Sequence, residues 1–542
     1  MKLSRKAGVG ILAAAVVLVV AVAAGAFVLN RHSPTNRAKA TVEGYLSDWS
    51  NGRYPQMAAV AEQPVDSFTS FYKASAQGLE ETRGSYQLVS LQTGANPSAT
   101  FNARVSLANY PDWTYTGTLP LVKRGNTYRV VWTPAALHPA LKADQHLGLV
   151  RTPQNYGHVL DRNGKQISTG DTQLAQTVIG RAPSDAAGAG KGPTGLHVRL
   201  ADTLDGRLPA AVDVLTSSGK LVTRLQSLPG KPGQNVRTTL DLGLQKTAEN
   251  VASGSGKPTS IVLMDARSGA IVAAAGNSSA GPSNALTGRF PPGSTFKIVT
   301  ATAALQNGFT LDTPVSCPPS VTAGGVTFKN AENEALGQIS FLTAFEKSCN
   351  TAFVNIAEKL PKGALAKTAA FYGCSALPGR AETPDALPIP TFTCNYPPVA
   401  DAEYAASAFG QAQVETSPLG MASIVAAAST GTWQPPRILP PDGPLQPSAA
   451  PRSLPANVVS QLRTAMQAVV SNGTATSISG SGVAGKTGTA EFGTKNPPQT
   501  HAWFTGYLGK YAAAVLVQDG GFGGDAAAPL AARVLQAAQA SG

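Results

Sequence analysis

The sequence predicts a multidomain α/β protein. The expected parts are a single N-terminal transmembrane helix, a small α+β domain, an extended middle domain, and a large C-terminal domain with an antiparallel sheet and flanking helices. Three observations predict this. A length of 542 residues is too great for one hydrophobic core. An uncharged apolar run opens the chain. The hydrophobic periodicity then changes character twice, placing the expected boundaries at 1–36, 37–140, 141–245 and 246–542. The apolar fraction is that of a folded chain, and no long charge block or tandem repeat marks disorder or a solenoid.

Lys2, Arg5 and Lys6 precede the apolar run Ala7 to Leu29, which Asn30 and Arg31 close. As a helix rising ~1.5 Å per residue, the run reaches about 34 Å, enough for a hydrocarbon core of about 30 Å. It exceeds the h-region of a secretory signal, so an uncleaved anchor is expected, although Ala24-Gly25-Ala26 has the look of a cleavage site. Positive charges on the two flanks nearly balance and encode orientation weakly. The short N-terminal tail would leave nearly all of the chain on one side of the membrane. The net charge of +12 comes from 43 basic and 31 acidic side chains. The basic residues are scattered, with no stripe interleaved with aromatics. That argues against a nucleic-acid binder and fits a surface beside anionic membrane or wall polymer.

Residues 37–140 carry helical periodicity in "AKATVEGYLSDWSNGRYPQMAAVAE", broken by a Ser-Asn-Gly-Arg turn. Alternating runs follow, "YQLVSLQTG", "ATFNARVSLANY", "TYTGTLPLV" and "YRVVWTP", with a turn at Arg124-Gly-Asn. Helices followed by a meander suggest a cone-shaped, NTF2-like fold, and no acid/base constellation argues for more than a scaffold. Residues 141–245 are less regular. Asp161-Arg-Asn-Gly164 is a turn signal, and "PSDAAGAGKGPTG" is a loose connection. From 246 onward, "IVLMDARSGAIVAAAG" reads as a hairpin, helices run to about 430, and "WQPPRILPPDGPLQPSAAP" reads as a surface connection. "GVAGKTGTAEF", "HAWFTGYL" and "YAAAVLVQD" read as strands. Strands at both ends with helices between them imply a central antiparallel sheet. The four cysteines, Cys317, Cys349, Cys374 and Cys394, agree with an oxidising compartment. They form no CxxC or Cys/His zinc spacing, so no metal site is expected. Proximity favours Cys317–Cys349 and Cys374–Cys394 among the three pairings, and free buried thiols are the alternative.

The candidate chemistry centres on "PPGSTFK", with Ser294 and Lys297 at helical i, i+3 spacing on one face. A serine hydroxyl needs a nearby base to become a nucleophile, and a helix N-terminus favours negative charge developing there. Ser-x-x-Lys recurs at Ser70/Lys73 and Ser217/Lys220, so supporting residues must discriminate. Lysine acts as a base only when neutral, which costs about 4 kcal/mol at neutral pH. A second cation ~4 Å away supplies about that much at an effective dielectric of ~20. Lys486 in "GKTGTAE" is the candidate, with Gly485 and Gly488 allowing close approach. In "KSCNT", Ser348 could relay a proton, and the Asn350 amide could hold Lys297 and a substrate carbonyl. Alone, Ser-x-Asn is usually a turn or cap.

In this order the three elements resemble the signature of penicillin-interacting serine enzymes. The chain resembles the class B penicillin-binding proteins, monofunctional D,D-transpeptidases of peptidoglycan synthesis. The matching residues are Pro292 to Lys297, Ser348 to Thr351, and Lys486 to Glu491. "GQAQVETSPLGMA" and "HAWFTGY" are similar to elements beside the family's site. "YGHVLDRNG" and "VRTTLDLGLQ" are similar to its pedestal, and residues 37–140 to the NTF2-like domain of its low-affinity branch. The resemblance implies that Lys297 deprotonates Ser294, which attacks the penultimate D-Ala carbonyl of a stem peptide. The N–H groups of Ser294 and Thr489 would form an oxyanion hole. Lys486, Thr487 and Thr489, with Gly488 between them, would bind the terminal carboxylate. Ser348 would return the proton to the departing D-Ala. An amine of a second stem peptide would resolve the acyl-enzyme, and β-lactams would acylate Ser294. No cofactor or metal is implied. The implied setting is extracytoplasmic on a membrane anchor, with a SEDS-type glycosyltransferase as partner.

A bifunctional class A protein is disfavoured because residues between anchor and cleft lack its Glu-Asp-x-x-Phe signature. A class A β-lactamase has Ser-Asp-Asn where this chain has Ser-Cys-Asn. D,D-carboxypeptidase activity and a β-lactam-binding sensor or scaffold are the alternatives. Glu332 and Glu491 are expected to be structural, with Glu491 close enough in sequence to tune Lys486, and His501 to face a strand neighbour.

Overall fold

A computed structural model describes residues 33–152, 156–168, 170–180, 194–277, 279–376, 393–445, 449–493 and 498–542. The expected transmembrane helix lies outside the described residues. No helix among those described is long and apolar enough to cross a membrane. The chain forms two compact units, the first from residues up to 155 with 206–232, the second from 156–205 with 233–542.

In the first unit, Ser33 caps helix Pro34–Ser50 by accepting the Asn36 N–H, with Pro34 in the first turn. Ala38, Val42, Tyr45, Leu46 and Trp49 form its buried stripe. Helices Tyr54–Ala59 and Phe68–Gly78 follow. A five-stranded sheet runs in the order Ala61–Glu62, Thr127–Val131, Trp113–Arg124, Ser98–Leu107, Glu81–Gln92. In Ser98–Leu107, alternate residues Ala99, Phe101, Ala103, Val105 and Leu107 are buried. The interior is filled by rings: Trp49 stacks on Tyr86 at 3.7 Å and meets Tyr72 and Phe101 edge-on. Gly117 has no side chain because a Cβ there would sit 2.2 Å from the Phe101 ring. A filled cone agrees with a scaffold.

The stretch expected as one middle domain, 141–245, is divided between the units. Gln145–Arg151, Ala210–Thr216 and Leu221–Leu228 form an antiparallel sheet of the first unit. Its buried Asp213 pairs with Arg224 at 3.0 Å. Residues 156–205 and 233–245 belong to the second unit, where Val159–Leu160 pairs in parallel with Val236–Arg237. The expected turn is present: Asp161 Oδ1 accepts the Asn163 and Lys165 N–H groups, and Gly164 takes φ +86°.

The second unit is built on a five-stranded antiparallel sheet, in the order Ala270–Gly276, Thr259–Asp265, Tyr511–Val517, Gln499–Leu508, Ala484–Phe492. Thr259 pairs with Val517, so the two ends of the domain meet at its centre. All of Tyr511–Val517 is buried, which requires cover on both faces. Helices Pro418–Thr430 and Ala528–Ser541 supply it, while Leu242–Ser253 packs on Ala270–Gly276. The Pro-rich stretch expected at the surface departs from that reading. Trp433, Ile438 and Leu439 are in the core, and Trp433 Nε1 donates to Ser423 Oγ at 2.8 Å. Proline frequency reports a lack of regular backbone; it does not report exposure. Cys317–Cys349 and Cys374–Cys394 are joined as disulfides.

Candidate active site

Ser294 sits in a 3₁₀ turn, Gly293–Phe296, that runs directly into helix Lys297–Gln306. Gly293 takes φ +53°, and a Cβ there would meet the Thr489 carbonyl oxygen at 2.8 Å. Its N–H donates to the Gly410 carbonyl at 3.0 Å. The turn is thus pressed against strand Ala484–Phe492 on one side and Gly410 on the other. Gly410 itself has φ +73°, and a Cβ there would lie 2.1 Å from the Gly293 oxygen. Gly410→Ala is expected to destabilise the fold by at least about 1–2 kcal/mol, the cost of left-handed backbone alone, read as a lower melting temperature.

The helix carries Lys297 inward, with no exposed surface. Its Nζ lies 3.1 Å from Ser294 Oγ, 2.7 Å from the Ser348 carbonyl oxygen, 3.2 Å from Ser348 Oγ and 2.7 Å from Asn350 Oδ1. Ser348 has a left-handed backbone, φ +59°. Cys349 is the N-cap of helix Asn350–Lys359, so the Ser-x-Asn motif is both a turn and a cap. Asn350 Nδ2 donates to the Lys329 carbonyl at 3.2 Å, which orients its amide oxygen toward Lys297. Lys486, also without exposed surface, places Nζ 2.9 Å from Ser348 Oγ. One hydroxyl therefore bridges two buried amines. The Phe353 and Phe409 rings face Lys297 at 5.2 and 6.0 Å, and Phe345 faces Lys486 at 5.7 Å.

Burial is the first cause that pushes Lys297 well below the ordinary lysine range, and the charge of Lys486 is the second. Burial lowers Lys486 to about 7. Burial, which no motif encodes, thus contributes more to the shift of Lys297 than the second cation that the spacing of motifs predicts. Ser294 is half-buried, so a nucleophile in contact with a lysine that favours its neutral form reaches the surface.

Gly488 is a contact position, because a Cβ there would meet the Pro292 oxygen at 2.8 Å and Thr295 N at 3.1 Å. Thr489 is half-buried, whereas Thr487 is buried with its hydroxyl bonded to that of Thr474. Nothing in "SNGTAT" marks Thr474 as part of the site. Lys73 and Lys220 are exposed, as are Ser70 and Ser217. Glu332 and Glu491 are exposed, and strand alternation puts Glu491 on the face opposite Lys486. His501 stacks on Phe492 at 3.9 Å, and its Nδ1 accepts the Asp519 N–H at 3.3 Å.

An antiparallel sheet whose edge strand carries Lys-Thr-Gly beside a Ser-x-x-Lys helix and a Ser-x-Asn turn defines the class of penicillin-interacting serine proteins. The chain belongs to the penicillin-binding protein transpeptidase domain family, which matches residues 259–536. Residues 37–145 match the NTF2-like N-terminal transpeptidase domain. Over 287 residues the chain is 32% identical to the peptidoglycan D,D-transpeptidase PbpA of Mycolicibacterium smegmatis, covering 48% of this chain and 57% of that protein. The chain thus spans little more than half the length of that relative. The crystal structure of penicillin-binding protein 3 from Mycobacterium tuberculosis superposes with a TM-score of 0.58 at 22% identity, over 72% of this chain and 97% of that one. A chain of a peptidoglycan synthase complex that coordinates polymerization and crosslinking gives 0.59 at 21% identity, over 74% and 92%. At these identities the structural likeness speaks to the fold.

Proposed function

We propose that this protein is a class B peptidoglycan D,D-transpeptidase working through an acyl-enzyme on Ser294. The observation that carries the reading is Lys297 Nζ at 3.1 Å from Ser294 Oγ, inside an enclosure that favours the neutral amine. Lys297 takes the Ser294 proton as Oγ attacks the penultimate D-Ala carbonyl. Backbone N–H groups of Ser294 and Thr489 stabilise the oxyanion; losing one such donor typically costs about 2.7–4 kcal/mol. Ser348 Oγ, within hydrogen-bond reach of both lysines, passes the proton to the departing D-Ala. Asn350 holds Lys297 through its amide oxygen. Lys486 and Thr489 meet the terminal carboxylate, with Thr487 and Gly488 shaping that strand. An amine of a neighbouring stem peptide then displaces the acyl group, and a β-lactam acylates the same oxygen. On this reading the catalytic unit lies outside the cytoplasm on a single-pass membrane anchor, Ala7 to Leu29, with a SEDS-type glycosyltransferase as the partner that supplies uncrosslinked strands.

A release assay on a peptide ending in D-Ala-D-Ala tests the acceptor. D-Ala release is expected to accelerate on adding a glycine or D-amino-acid amine, with a ligated product of matching mass. Release unaffected by the amine, with hydrolysed product alone, would identify a carboxypeptidase. No release, with no acyl-enzyme, would overturn the reading.

A further inference from the structure

We propose that the Cys317–Cys349 disulfide is a positioning element of this site, holding Ser348 where its two oxygens meet both lysines. The inference rests on the acyl-transfer reading and assigns the oxidised protein as the competent form. Ser348 is a non-glycine residue at φ +59°, a conformation that persists only where its surroundings over-determine it. That backbone aims Ser348 Oγ at Lys297 and Lys486 at 3.2 and 2.9 Å, and its carbonyl oxygen at Lys297 at 2.7 Å. A relaxation of residue 348 to ordinary backbone would remove all three contacts together.

The restraints lie mostly on the next residue. Cys349 is buried, donates its N–H to the Ala344 oxygen at 3.0 Å, and is covalently bound to buried Cys317 in strand Pro314–Cys317. Polar contacts repeat the covalent tie. Asn330 donates to the Pro318 and Glu334 oxygens and accepts the Thr351 N–H, and Thr351 Oγ1 donates to the Pro318 oxygen. Strand Pro314–Cys317 is itself paired with Gly337–Ser340. The motif turn is thereby tied to a second element both covalently and through hydrogen bonds.

The test is the rate of acylation by a fluorescent penicillin in the double variant Cys317→Ala/Cys349→Ser. Cys349 Sγ accepts the Ala352 N–H at 3.3 Å, and serine keeps an acceptor at that N-cap. The variant is expected to acylate roughly ten- to a hundred-fold more slowly. Its rate should also rise at higher pH than in the wild type, as water reaches Lys297, whose charged neighbour is Lys486. Cys374→Ala/Cys394→Ala, which removes the other disulfide, is expected to keep the wild-type rate and pH profile even where it melts lower. Should the first variant fail to fold, Cys317→Ala alone leaves the motif intact and decides by the same readouts. A wild-type rate and an unmoved pH profile without the Cys317–Cys349 bond would overturn the proposal. A wild-type protein that does not acylate at all would instead overturn the acyl-transfer reading.

Discussion

Ser294→Ala is expected to lose all covalent labelling by a fluorescent penicillin, while Ser70→Ala and Ser217→Ala label at the wild-type rate. All three serines have a lysine three positions on, so their spacing is the same. Their environments differ. Lys73 and Lys220 are exposed, and nothing encloses them beside the neighbouring hydroxyl. Ser70 Oγ donates to the Ser67 carbonyl within its own helix turn. Lys297 alone of the three is enclosed. Labelling is read by in-gel fluorescence and located by the mass of the modified peptide. A Ser294→Ala protein that still takes the label would remove the assignment.

Lys297→Met is expected to slow acylation by about 10²–10⁴-fold, the usual contribution of a positioned general base, with the nucleophile still in place. The pH dependence carries a second expectation. Lys297 must be neutral to accept a proton, and it sits well below the ordinary lysine range, so acylation rises with pH through its lowered value. Lys486 must be charged to meet a carboxylate. It titrates at about 7 in the free protein, so the rate falls again above that, giving a bell. The sign for stability follows from proton counting. Between about 7 and the ordinary lysine value of about 10.4, the unfolded chain holds protons on these lysines that the folded one has released. Stability therefore rises with pH across that window, and Lys297→Met is expected to flatten the rise. Thermal melting from pH 6 to pH 10 reads it; an unchanged slope would mean that Lys297 keeps its proton in the folded state.

Much of this site was legible before any coordinates. Ser294 and Lys297 lie one helical turn apart, a local relation that spacing determines. The turn at Asp161–Gly164 and the hairpin at Asp265–Gly269 are local too, as Asp265 Oδ1 accepting the Arg267 and Ser268 N–H groups illustrates. Lys486 was found by its motif, and its meeting with Ser348 was implied by family resemblance; periodicity alone does not bring residues 348 and 486 together. Thr474 was missed because a threonine in a Gly-rich turn carries no pattern. The division of 141–245 between two units was missed because composition does not say which core a strand joins.

The amino-acid order by itself determined which residues could react here and which local turns and helices carry them, because those depend on neighbours within one turn of chain. Only the tertiary structure decided which Ser-x-x-Lys lysine is enclosed. That choice is made by Phe345, Phe353 and Phe409 closing around two amines, and by the left-handed turn at Ser348. Desolvation is a property of the assembled enclosure, and no segment of the chain possesses it alone.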